Sequence, residues 1–216
     1  MINLKRTLTF SLLGASLALT GCVSESHTAA EPISAAAVVN KPAKVLDGVM
    51  GMVVAAQPEA TNAANRILAA GGNAADAAVA AGFAISVVEP TMNSIGGRSQ
   101  VLVRTAEGEY FAINGMTEIP AGYERPEVPD KDGYRVIATP GVVAALARIH
   151  SEHGSMPWAD LVQPAIEIAE NGFEMLPGEA IRQSMGLAAI KTNPGFLANV
   201  LVEGKTRKAG ELFRQP

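Results

Sequence analysis

Apolar residues fall along this chain in two rhythms, and the changes of rhythm mark out its elements. An apolar stretch from Leu8 to Leu19 follows the basic pair Lys5 and Arg6. Much later, Gly51 to Ala56 (GMVVAA) forms a short run that fits a buried strand. Pro58 then suits a first helical position. Ala60, Ala63, Ala64, Ile67 and Leu68 recur at helical spacing, and Gly71 suits the position just past the helix end. Asn73 is placed to cap a second helix, about Ala74 to Val88, with Asp76 in the first turn, where the helix dipole favours an acid. This helix is apolar nearly all round, which predicts burial, and its alanines allow neighbours to approach closely.

The second half continues in the same mixed fashion. Gln100 to Thr105 and Glu109 to Ile113 read as two strands joined by a turn at Glu107-Gly108, and Arg135 to Ala138 as a further short strand. Thr139 as N-cap and Pro140 at the first position would open a helix carrying Val142, Val143, Leu146 and Ile149. Pro157 would open another, with Trp158, Leu161, Val162, Ala165, Ile166 and Ala169 on one face and Asn171-Gly172 at its end. Pro164 inside it predicts a kink or a lost hydrogen bond. Strands and helices mixed in this way imply an α/β or α+β domain.

Composition changes the picture mainly at the N-terminus. With 216 residues, 48% of them hydrophobic, the chain is long enough for one sizeable core. A formal net charge of −4 with no basic stripe argues against nucleic-acid binding. No segment after the first twenty-odd residues is long and apolar enough to span a membrane. The basic start, the apolar stretch and Leu19-Thr20-Gly21-Cys22 have the layout of a secretory signal, and the last four residues resemble a lipobox. Cys22 is the only cysteine, so it has no disulfide partner within the chain. Residues 1–22 are therefore expected to be a lipoprotein signal with lipid attached at Cys22. That predicts an exported protein anchored to a membrane and facing the periplasm. Residues 23–47, rich in Ala, Ser and Pro and containing His27, read as a flexible tether, and residues 48–216 as the folded domain.

Candidate chemistry is sparse. His150 and His153 stand three apart but without a cysteine, at an expected helix end, which favours a capping or solvated role over metal binding. Ile95-Gly96-Gly97-Arg98-Ser99 lacks the glycine pattern and lysine of a phosphate loop and reads as a tight helix-to-strand connection. Asn114-Gly115 reads first as a turn. No Ser-His-Asp or Cys-His arrangement stands out.

An ordered run of segments adds a resemblance. GMVVAAQPEATNAANRILAAGGNAADAAVAAGFAISVVEP (Gly51 to Pro90) resembles the start of the large subunit of γ-glutamyltranspeptidases. IGGRSQVLVR (Ile95 to Arg104), ATPGVVAAL (Ala138 to Leu146) and HGSMPWADLVQPAIEIAENGFEM (His153 to Met175) continue it in order. The likeness covers about residues 48–216. It implies an α+β chain, a partial N-terminal-nucleophile hydrolase fold of αββα layers. It also implies a precursor that cuts itself, so that the new N-terminal threonine of a small subunit attacks a γ-glutamyl amide with its own α-amino group as base. No metal or organic cofactor is implied. The threonine lies beyond the stretch matched here, so no catalytic residue is expected within this chain, and a small subunit from downstream sequence is the implied partner.

Enzymes of the family specific for glutamyl groups commonly carry an arginine after the second strand that pairs with the substrate's α-carboxylate. The matching stretch here is Asn114-Gly115-Met116-Thr117, and Met116 cannot make that bidentate bond. Asn114 and Met116 are thus the candidate substrate-binding residues, as a pocket wall, with packing of Met116 into the core as the alternative. The substrate is expected to be a small amide or peptide, γ-glutamyl or related. A different amidohydrolase or acylase preference is one alternative, and a non-catalytic lipoprotein is another.

Overall fold

The computed structural model describes residues 51–131, 133–192 and 194–215. The expected signal, Cys22, the tether with His27 and the first residues of the expected domain lie outside the described residues.

Helix α1 (Pro58–Ala69) starts at its proline and carries Ala60, Ala63, Ala64 and Ile67 into the core. Its end is a Schellman motif. Gly71, at φ +94°, donates to the Leu68 carbonyl and Gly72 to that of Ile67, each at 3.0 Å. One residue on, Asn73 caps α2 (Ala74–Val88). Its Oδ1 accepts from the N–H groups of Ala75 and Asp76, while the Asp76 carboxylate accepts from the Asn73 N–H at 2.9 Å, closing a capping box.

Helix α2 packs against α1, α3 (Val142–His153) and α4 (Trp158–Asn171). Its small residues make this possible: a Cβ on Gly82 would lie 3.0 Å from a methyl of Leu146. The burial is uneven, with Val79, Ala80 and Ala84 fully covered and Ala74 and Ala78 exposed.

Strands β1 (Ser99–Arg104) and β2 (Tyr110–Gly115) form an antiparallel hairpin in the register Ser99↔Gly115 to Arg104↔Tyr110, turning at Gly108 (φ +91°). Val101, Val103, Phe111 and Ile113 point inward against Val79, Leu146 and Ile149, and the alternate positions face outward. Short strands β3 (Phe173–Glu174) and β4 (Leu212–Phe213) pair antiparallel at a second apolar cluster of Val88, Met175, Val200 and Leu201. Helices α5 (Pro177–Met185), α6 (Leu187–Lys191) and α7 (Pro194–Asn199) lie between them in sequence.

Several expectations need correction. Gly51–Ala56 is not a buried strand but a segment without regular secondary structure, with Val54 86% exposed. No strand pairs with it among the described residues, and the Ala55 N–H bonds to Thr61 Oγ1 at the start of α1 instead. Asn114-Gly115 is not a turn, because both residues lie in β2, opposite Gln100 and Ser99. Gly115 is small for packing: a Cβ there would lie 2.6 Å from the Cβ of Ala145. Arg135–Ala138 is not a strand. Gly133, at φ +88°, leads into a 3₁₀ turn over Tyr134–Val136, and the bridge forms one residue later, between Thr139 and Glu118.

That bridge occupies the backbone of Thr139, so α3 starts at Val142 with Gly141 as its N-cap, rather than at Thr139-Pro140. Likewise Pro157 caps α4 and Trp158 begins it. Helix α4 runs through the buried Pro164, which can offer no N–H to the turn before it, and Ile166 is 41% exposed rather than on the packed face.

Candidate functional site

Among the described residues the hollows differ in chemistry. A groove of about 510 Å³ between the Gly51–Val54 segment and the open side of α2 is lined by Met52, Val53, Leu68, Asn73 and alanines and carries no charged side chain. A hollow of about 250 Å³ holds Arg125 and the ion pair Arg135–Asp130 at 3.1 Å. A third, of about 320 Å³, lies where β2 ends and α3 begins, and it contains both Asn114 and Met116.

Three local features build this third cleft. First, β2 and α3 approach almost to contact, since a Cβ on Gly141 would sit 2.3 Å from the Gly115 carbonyl oxygen. Only glycine permits that approach. Second, the Gly97 carbonyl accepts from the N–H groups of Gly141 (3.1 Å) and Val142 (3.4 Å). The Ile95–Ser99 connection therefore clamps the start of α3 through a carbonyl, the opposite polarity from a phosphate cradle. Third, Glu118 and Thr139 exchange backbone hydrogen bonds at 3.1 and 2.8 Å, closing the far rim.

Within the cleft, Asn114 Oδ1 accepts from the Met116 N–H at 3.3 Å, which turns the chain out of the strand. Met116 is 36% exposed and lines the cleft beside Asn114, so it is not a core residue. Glu118 and Arg148 complete the polar lining. Neither was singled out from sequence. Arg148 follows Ala144 by one helical turn on α3 and so shares its face, a spacing that becomes informative only once Ala144 is known to face a cavity.

The two histidines lie in the last turn of α3, and each packs against a neighbour in the fold. His150 Nε2 is 2.7 Å from the Met156 carbonyl oxygen and its ring packs edge-on to Trp158. The exposed His153 stacks on Phe111 at 4.4 Å. Among the described residues no group of three or more His, Cys, Asp or Glu side chains could hold a metal ion.

Two buried acids lie elsewhere. Asp76 is fully buried and accepts from the Ser155 hydroxyl at 2.6 Å and from the N–H groups of Asn73, Ser155 and Met156. Burial pushes its carboxyl up, but the Ser155 hydroxyl and the backbone N–H groups outweigh this, and the net shift is downward. Glu179, also fully buried, accepts from Thr91 Oγ1 (2.5 Å), Gln183 Nε2 (2.9 Å) and Arg182 Nη2 (3.1 Å), and Arg182 also pairs with Glu89. Both acids tie helices to loops, and neither lines one of the three hollows.

A family model described as gamma-glutamyltranspeptidase matches residues 60–216. The chain belongs to the gamma-glutamyltranspeptidase family. Within it, the acylase ACY 1 proenzyme of Pseudomonas sp. (strain V22) is 33% identical over 184 residues, 77% of this chain and 33% of that protein. The glutathione hydrolase proenzyme of Escherichia coli (strain K12) is 31% identical over 178 residues, 76% of this chain and 30% of that protein. Among solved structures, the gamma-glutamyltranspeptidase of Helicobacter pylori superposes with a TM-score of 0.74 at 27% identity, covering 79% of this chain and 52% of that one. A cephalosporin acylase from Bacillus halodurans does so at 0.66 and 31%, covering 73% and 32%. The chain thus spans about a third of the length of the curated relatives it matches. Its fold is α+β, part of the N-terminal-nucleophile hydrolase fold of this family.

Proposed function

We propose that this chain supplies the scaffold and one wall of the substrate pocket of an exported amide hydrolase or acyltransferase. The observation that carries the reading is the cleft at the end of β2, where Asn114 and Met116 lie side by side against the start of α3. The bond acted on is an amide whose acyl group rests against Met116, γ-glutamyl or a related acyl group. Relatives named glutathione hydrolase and acylase support both kinds of acyl group. A threonine at the N-terminus of a small subunit, from sequence beyond this chain, is the nucleophile on this reading. Lipid on Cys22 tethers the assembly to a membrane, facing the periplasm.

Coexpressing the chain with the small subunit from its precursor and assaying γ-glutamyl and aliphatic acyl anilides tests the pocket. Met116→Arg should raise the preference for the γ-glutamyl anilide by about tenfold, as a new charge-assisted pair would. An unchanged ratio would remove Met116 from the pocket. The 216-residue chain by itself should turn over neither substrate, and activity from it would overturn the assignment of the nucleophile to another subunit. Cys22→Ala should release the protein from membranes, and continued membrane association would sink the lipid anchor.

A further inference from the structure

The loop over residues 91–98 joins α2 to β1 and holds the start of α3, yet apolar burial does not fix it. None of its residues is buried, and Met92 and Ile95 stand largely in solvent. Polar links fix it instead, and they run in series. Arg182, on α5, donates from Nε to Thr91 Oγ1 at 2.8 Å and from Nη2 to both Glu89 and Glu179. Thr91 Oγ1 in turn donates to the buried Glu179 carboxylate, which Gln183 holds from its other oxygen at 2.9 Å. Next, the Glu89 carbonyl accepts from the N–H groups of Met92 (3.0 Å) and Asn93 (2.9 Å). Asn93 Oδ1 accepts from the Ser94 N–H, and the Ser94 carbonyl from the Gly97 N–H at 3.1 Å. The Gly97 carbonyl closes the series on Gly141 and Val142.

We infer that Arg182 is a positioning residue for the Met116 cleft. It pins the first half of the loop to α5 and, through Gly97, sets where α3 begins and how closely α3 stands against Gly115. A planar guanidinium holds Thr91 and two carboxylates in fixed directions at once, which the point charge of a lysine cannot do. Its consequence for an acyl group rests on the cleft being the acyl site. The competing role is that of a plain stabiliser of α5. Ion pairs out of solvent contribute little net stability, and their best-attested use is to fix one arrangement of the chain. The two roles differ in which backbone amides loosen when the guanidinium is removed.

Hydrogen exchange of single backbone amides in the full chain, read by NMR, tests this. Arg182→Met should speed exchange at Gly141 and Val142 by about tenfold, as release of a local clamp would, while Ala75 and Asp76 in the α2 cap keep their rates. Thr91→Val keeps the side-chain shape but loses the hydroxyl. It should act on the same two amides to a smaller degree, and should add little when combined with Arg182→Met. Arg182→Lys should recover only part of the protection. Arg66→Met, which breaks the ion pair with Glu167 between α1 and α4, should leave Gly141 and Val142 unchanged. Acceleration spread evenly over all amides, or none at Gly141 and Val142, would overturn the inference and leave Arg182 a general stabiliser. In the enzyme assembled with its small subunit, Arg182→Met should raise KM for the anilides about threefold with kcat nearly unchanged. Faster exchange at Gly141 and Val142 with KM unmoved would show that the clamp exists but that the cleft is not the acyl site, and Arg182 would then have no part in the reaction.

Discussion

Helices α2 and α3 begin in opposite ways. At the start of α2, Asn73 and Asp76 close a capping box, and the buried Asp76 carboxylate also gathers N–H groups and the hydroxyl from the Ser155-Met156 loop. At the start of α3, Gly141 has no side chain with which to cap, the Gly97 carbonyl takes the N–H groups of Gly141 and Val142, and the helix end opens onto the Met116 cleft. A helix start whose polar groups are already satisfied can add stability but offers a ligand nothing. One left open beside a cavity contributes less to stability and keeps its surroundings available for binding.

The largest test of this difference is Asp76→Ala. It removes the acceptor from three part-buried N–H groups and a hydroxyl, and should cost about 3 kcal/mol by urea denaturation. Asp76 also gives the comparison a pH signature. Its carboxyl is held below the ordinary range, so its stabilisation is complete above the unfolded value near about 4 and is lost as pH falls through the folded value. The urea midpoint should fall as pH drops below about 4, and fall less in Asp76→Asn, and equal slopes would refute this role.

Next in size is Gly141→Ala. Its Cβ would fall 2.3 Å from the Gly115 carbonyl oxygen, and the overpacking should cost about 2 kcal/mol and distort the cleft. A neutral substitution there would mean that β2 and α3 separate easily. Asn73→Ala should cost about 1 kcal/mol, the ordinary loss of an N-cap, and an unchanged urea midpoint would show that the cap adds no stability. Smallest is Asn114→Ala, at about 0.5 kcal/mol or less, since the side chain is exposed and its bond to Met116 is long. Its effect should instead appear in ligand binding at the cleft. A large stability loss at Asn114 would erase the contrast between the two helix starts.

The same contrast explains which parts could be read in advance. The start of α2 is local chemistry, with Asn73, Asp76 and the alanines all within one turn, so the cap and the bounds Ala74–Val88 follow from sequence alone. The Glu107-Gly108 turn is equally local, because Gly108 supplies the positive φ that a tight hairpin needs. At the start of α3, Thr139-Pro140 carries an equally strong local signal, yet the helix begins later, because Thr139 is paired with Glu118, twenty-one residues earlier in the chain. The candidate site divides the same way. Asn114 and Met116 are identifiable by their place after the second strand, whereas Arg148 and Glu118 join them only because β2 and α3 meet at Gly115 and Gly141.

By itself, then, the sequence determined the helices with internal signals at both ends, the hairpin turn and the family to which the chain belongs. Each of these depends on residues close together in the chain or on an ordered series of such segments. Tertiary structure alone decided the fate of the ambiguous short runs. GMVVAA pairs with no strand among the described residues and is largely exposed, Asn114-Gly115 is a strand end pressed against a helix, and Arg135–Ala138 begins within a 3₁₀ turn and leaves it at Ile137. A few apolar residues satisfy several backbone conformations almost equally, and the hydrogen bonds that choose among them come from partners far away in sequence.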